Sequence, residues 1–161
     1  MIKPLFSNLV VAVSGSDASI LAAKYAIIMA KQYRCHLCAV YVVDTATIRQ
    51  LTLSKIFIQE ESLDYERSLT ANGERYLSFV EELARAKGVK AERDIRKGAI
   101  YTEILTAADE KKADLIILGG WEKERSPRDI ISHSHREIMV GSKCSVLIVK
   151  EPLVDQLYKQ A

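Results

Sequence analysis

NLVVAVSGSDASILAAKYAIIMAKQY, residues 8–33, decides the fold. After Asn8 the next five residues are all apolar, and Ser14-Gly15-Ser16-Asp17 ends the run. A strand buried on both faces reads this way. Ile20, Ala23, Ile27 and Ala30 then recur at helical spacing, with Ser16 or Asp17 in place to cap the first turn. The unit is strand, tight turn, helix.

The same unit returns along the chain. HLCAVYVVD, residues 36–44, is a second buried strand. Residues 45–62 mix apolar and polar positions without a clean period, which predicts a loop with a helical turn or two. Helical spacing resumes over 63–87, with Leu69, Tyr76, Phe79, Val80 and Leu83 inward and Gly88 as the stop. VKAERDIRKG, residues 89–98, alternates like an exposed edge strand. An amphipathic helix follows, with Ile100, Ile104, Leu105 and Ala108 inward, and then an apolar strand at 114–118. A long loop begins at Gly119. Ser134-His135-Arg136-Glu137 has the spacing of a capping box, so a short helix starts near 132–134 and ends at Gly141. SVLIVK, residues 145–150, is the fifth strand. The pattern predicts one domain over residues 1–150, with 151–161 as a C-terminal tail. Alternation of this kind gives an open five-stranded parallel sheet, order 3-2-1-4-5, with helices on both faces: a Rossmann-like α/β fold.

Bulk composition narrows the function classes. Hydrophobic residues make up 48% and charged residues 27% of 161, enough apolar surface for one packed core. A net charge of +2 gives no electrostatic argument for nucleic acid. Three cysteines, an odd and small count, do not form a secreted disulfide framework. No apolar stretch reaches the roughly 18–20 residues of a membrane span, and the N-terminal apolar run reads as strand rather than signal peptide. The expectation is a cytoplasmic protein with reduced thiols.

In an open parallel sheet ligands lie beyond the carboxyl ends of the strands, where strand order reverses. Here that point falls between the first and fourth strands. Their ends are Ser14-Gly15-Ser16-Asp17 and Gly119-Gly120. Both are small-residue turns where backbone N–H groups can approach an anion. Small residues are equally needed to make the turns themselves.

Residues 7–150 resemble a universal stress protein domain. NLVVAVSGSDAS, AVYVVD, RKGAIYTEILTAADEKKADLIILGG and CSVLIVK carry the resemblance. Its nucleotide-binding branch has a glycine, two residues, a glycine, nine residues, then Gly-Ser or Gly-Thr. Laid on this chain, the first glycine is Gly119, the second falls on Glu122, the third on Ser132, and the hydroxyl residue on His133. The family's aspartate at the end of the first strand falls on Ser14, and a backbone contact to adenine on Val42. Glu122 brings bulk and a like charge, which costs a polyphosphate about 1 kcal/mol or more at intermediate dielectric. Ser132 and His133 can still donate hydrogen bonds, and Lys123, Arg125, Arg128 and Arg136 place positive charge in the same segment.

The resemblance therefore implies the branch with an eroded loop: a stress-response regulatory or protective module, acting through homodimerisation and an unknown protein partner, with no cofactor expected. The alternative is an ATP or AMP sensor, or weak ATPase, using Ser14, Gly15, Ser16, Asp17, Val42, Gly119, Gly120, Ser132 and His133. The family's dimers imply an edge strand at Ser145, Val146, Leu147, Ile148 and Val149. Residues 14–19 also resemble the serine-glycine loop of ATP pyrophosphatases, although Ser16 and Ala18 replace its second glycine and aspartate.

The remaining motifs are weaker. Cys35-His36-Leu37-Cys38 enters a strand, where residues three apart point to opposite faces, so it reads as two semi-buried thiols. His133 and His135 do not share a helix face, and a third metal ligand is not apparent. Trp121 reads as a plug of the space a ligand otherwise takes, the other reading being a shield over one. No residue is assigned a catalytic role.

Overall fold

The computed structural model describes residues 2–120 and 133–161. Its elements are β1 (Asn8–Val13), α1 (Asp17–Tyr33), β2 (His36–Asp44), α2 (Thr45–Leu53), α3 (Gln59–Arg85), β3 (Ala91–Gly98), α4 (Ile100–Glu110), β4 (Leu115–Gly119), α5 (His133–Gly141), β5 (Ser145–Val149) and α6 (Val154–Gln160). The five strands form one parallel sheet in the order β3-β2-β1-β4-β5.

The period of two along the strands feeds two cores. Leu9, Val11 and Val13 face one side with Ala26 and Ile27 of α1, Leu77 and Val80 of α3, and Val154 of α6. Val10, Val40, Ile116 and Leu118 face the other with Ile104 and Ala107 of α4 and Ile138 of α5. Burial on both faces is why these strands are unbroken apolar runs rather than alternating ones. Opposite the crevice end, the Asp114 carboxylate accepts the N–H groups of Ser7 and Asn8 at 2.7 and 2.8 Å, joining the start of β4 to the start of β1.

Three segments differ from the sequence reading. Residues 45–53, expected within a loop with a helical turn or two, form one continuous helix, α2. Asp44 caps it by accepting the Thr47 N–H at 3.0 Å and the Thr47 hydroxyl at 2.7 Å, and Ile48 is buried. Phe79, expected inward, is 44% exposed. The buried stripe of α3 runs through Gly73, Leu77, Val80 and Ala84, because Gly73 is the position that admits the ring of Tyr41. The stretch after β5 carries a helix, α6, packed against α1. Lys24 pairs with Asp155 at 2.6 Å, and the Tyr158 hydroxyl donates to the Leu83 carbonyl at 2.6 Å.

Candidate functional site

A cavity of about 460 Å³ opens at the carboxyl ends of β1 and β4. Strand lengths create it. The β1–β2 ladder ends at Val13↔Tyr41, while β2–β3 pairing continues to Asp44↔Gly98. Val42, Val43 and Asp44 therefore project past β1, and the side of β2 facing β1 has no ladder partner there. α3 closes the flank with Tyr65 and Leu69, α4 contributes Ile100 and Ile104, and α5 contributes Ser134, His135 and Ile138. Tyr41 stacks on Tyr76 with ring centroids 6.4 Å apart. Burial, then Tyr76 and Tyr65 beside it, hold its phenol above the usual tyrosine range.

Serine side chains knit the turn after β1. The Ser14 N–H donates to Ser19 Oγ at 3.0 Å, and the Ser19 hydroxyl is shared by the carbonyls of Ser14 (2.7 Å) and Ser16 (2.9 Å). Ser16 caps α1 by accepting the Ser19 N–H at 3.2 Å. The hydroxyls of Ser14 and Ser16 lie 3.0 Å apart, and the Ser16 N–H donates to Ser14 Oγ at 3.3 Å. Asp17 adds a carboxylate to the first turn of α1. A helix N-terminus attracts anions through unclaimed N–H groups and its dipole. Here N–H groups of the turn are taken by serine oxygens, and Asp17 answers the dipole.

The two glycines at the end of β4 have close-packed neighbours. A Cβ on Gly119 would stand 2.7 Å from the carbonyl carbon and oxygen of Ala18. One on Gly120 would stand 2.7 Å from the Val149 carbonyl oxygen. These glycines allow α1 to seat against β4 and the chain to pass β5, a packing requirement independent of any phosphate. His135 Nε2 lies 2.9 Å from the Gly119 carbonyl oxygen, which ties the start of α5 to the same point.

Of the residues expected around a ligand, Ser14, Ser16, Val42, Gly119 and Gly120 line the cavity. Gly15 lies against Tyr76, Asp17 is exposed, and His133 packs edge-on against Tyr101 at 6.0 Å, so these three are not among the lining residues. Trp121, Glu122, Lys123, Arg125, Arg128 and Ser132 lie outside the described residues. Sequence reading missed Ser19, Asp44, Tyr65 and His135. For Ser19 the signal was its place three residues after a capping serine. For Asp44 it was its position at the end of the second strand. Tyr65 and His135 had none, since they arrive from distant elements.

Cys35 and Cys38 belong to opposite cores, Cys35 packing beside the first and Cys38 within the second. Burial, then Glu92 and Asp94, push the Cys38 thiol up to about 12. A thiol raised in this way is not a nucleophile at neutral pH. Among the described residues no group of three or more His, Cys, Asp or Glu is placed to hold a metal ion. Among them too, no helix is long and apolar enough to cross a membrane.

The family model described as "Universal stress protein family" matches residues 5–150. The chain belongs to the universal stress protein family. It is 32% identical over 148 residues to universal stress protein MJ0531 of Methanocaldococcus jannaschii, covering 92% of this chain and 84% of that protein. Among solved structures, universal stress protein UspA from Lactobacillus plantarum superposes with a TM-score of 0.76 at 20% identity, over 90% of this chain and 98% of that one. A universal stress protein solved in complex with cAMP superposes with a TM-score of 0.66 at 22% identity, over 90% and 97%. Membership carries the family's general role in the response to stress.

Proposed function

We propose that this universal stress protein is a regulatory or protective module that acts through homodimerisation and a protein partner, without tight ATP binding. The observation that carries the reading is the turn at 14–19, where serine oxygens engage the N–H groups of Ser14, Ser16 and Ser19 and Asp17 adds a carboxylate to the first turn of α1. Glu122, Ser132 and His133 in place of glycine, glycine and serine point the same way. Homodimerisation is supported by β5, which among the described residues pairs only with β4 and leaves Val146, Leu147 and Ile148 half-buried at the sheet edge. An unpaired edge of that composition is a template for a second strand. Partner binding is supported by the corner between α2 and α3, where Leu53, Ile56 and Ile58 are 73%, 64% and 60% exposed. Three free thiols suit a reducing cytoplasm.

Thermal unfolding with ATP and Mg²⁺ tests the nucleotide claim. A ligand at 100 times its Kd stabilises the native state by about 2.7 kcal/mol, several degrees in a domain of this size. The expected shift for ATP is under about 1 °C. Glu122→Gly, Ser132→Gly and His133→Ser combined should produce a measurable shift if loss of those residues removed the grip. A large shift in the unchanged protein would overturn the reading.

The second reading is an ATP or AMP sensor. It is favoured by the cavity itself, which includes Val42 and Gly119, and by the related structure solved with cAMP. Adenine nucleotide retained through purification would decide for it. Nothing in the geometry adds support to a pyrophosphatase-type enzyme, because its serine loop is engaged in capping α1.

A further inference from the structure

The amino end of the sheet, opposite the cavity, carries a surplus of positive charge. Helices return the chain to this end, so Arg34 after α1 and Lys112 after α4 gather there, with Lys90 just before β3 and Lys3 ahead of β1. All four are exposed, and among the described residues none is in an ion pair. Most carboxylates of this end are engaged. Asp114 accepts the Ser7 and Asn8 amides, while Glu81, Glu92 and Asp109 pair with Arg85, Lys111 and Lys143. Glu82, in the last turn of α3, stands against the four cations. The whole chain has a net charge of only +2, so the surplus belongs to one face. Cations after a helix complement its dipole, which accounts for Arg34 and Lys112. Lys3 and Lys90 lie on no helix.

Apolar side chains stand on the same face. Ile2, Leu5 and Tyr33 are 95%, 80% and 58% exposed. The segment that bears them is anchored: the Phe6 and Tyr33 ring centroids lie 6.0 Å apart, and Asn8 Nδ2 donates to the Lys112 carbonyl at 3.3 Å. A nucleic acid would use the cations but gain little from isoleucine and leucine, because its outer surface is phosphate and sugar. An anionic bilayer uses both. Lysine and arginine are drawn to its negative surface, tyrosine rests at headgroup level, and aliphatic side chains enter the acyl boundary. We propose that the amino end of the sheet docks on an anionic phospholipid surface, with Lys3, Arg34, Lys90 and Lys112 over the headgroups and Ile2 and Leu5 inserted beside Tyr33. The face is separate from the cavity and from the proposed dimer edge. Gly120 and His133, which flank residues 121–132, lie at the other end of the sheet. The proposal goes beyond the proposed function and does not rest on it.

Co-sedimentation of the full chain with vesicles of phosphatidylcholine alone, or with about one-third phosphatidylserine, at about 0.1 M salt tests it. The protein should sediment with the anionic vesicles only, and lose most of that binding at about 0.5 M salt. Arg34→Asn, Lys90→Gln and Lys112→Asn combined should weaken binding about 100-fold, at about fivefold per cation. Asparagine suits the left-handed backbone of Arg34 and Lys112, φ 56° and 53°. Ile2→Ser with Leu5→Ser should weaken binding about tenfold or more. Arg49→Gln with Lys55→Asn, near the carboxyl end of β2, should leave it unchanged. No binding, equal binding to both vesicles, or a loss in the Arg49/Lys55 variant as large as in the triple variant overturns the proposal. Binding unchanged by Ile2→Ser with Leu5→Ser overturns insertion and with it the bilayer as partner. Retention of a single-stranded oligonucleotide without vesicle binding assigns the cations to nucleic acid and overturns it as well.

Discussion

Gly119 shows how one atom couples fold to site. Its missing Cβ lets the first turn of α1 approach the end of β4, where an alanine methyl would stand 2.7 Å from the Ala18 backbone. Backbone cannot swing aside as a side chain can. Gly119→Ala should therefore destabilise the protein by about 1–3 kcal/mol, as overpacking does, read as a lower urea midpoint. A glycine kept only for phosphate would leave that midpoint unchanged. Cys38 gives a second prediction. Its thiol is raised to about 12 from 9.0 by burial, then by Glu92 and Asp94. The unfolded chain loses this proton first, so stability should fall as pH climbs through 9 toward 12. Cys38→Ala should flatten that part of the stability–pH profile. The sequence showed that 119 is glycine and that 38 is an apolar strand position. It could not show which backbone lies against the one or which carboxylates flank the other, because those partners come from other elements.

The strands and the long helices were legible because each carries many residues of one period. Residues 8–13 and 17–33 match their expected bounds for that reason. α2 was not legible as a full helix, only as a helical turn or two, since a single buried side chain, Ile48, gives no period, and the helix depends on its Asp44 cap. α6 was not legible either: seven residues are two turns, and what holds them is tertiary. Lys24 and Lys87 sit over the Tyr158 ring at 5.6 and 4.6 Å, while its hydroxyl reaches Leu83 of α3. Tyr158→Phe keeps the ring and removes the hydrogen bond. It should cost about 0.5–1.5 kcal/mol, measured by denaturation. A cost near zero would mean that α6 is held by its ring and Val154 alone.

Strand order was readable from alternation, and order places a crevice between β1 and β4. The crevice walls were not readable, because α3, α4 and α5 bring Tyr65, Ile104 and His135 together from positions far apart in sequence. The same sheet leaves β5 as its far edge. Leu147→Glu, a charge in the middle of that edge, should shift the proposed dimer to monomer in sedimentation velocity without lowering helix content. The central claim, as proposed above, is that this chain does not hold ATP tightly. Native mass spectrometry of freshly purified protein tests it most directly. The predicted spectrum is a dimer at twice the chain mass with no ATP adduct. A stoichiometric ATP–Mg²⁺ adduct that survives desalting would contradict the claim.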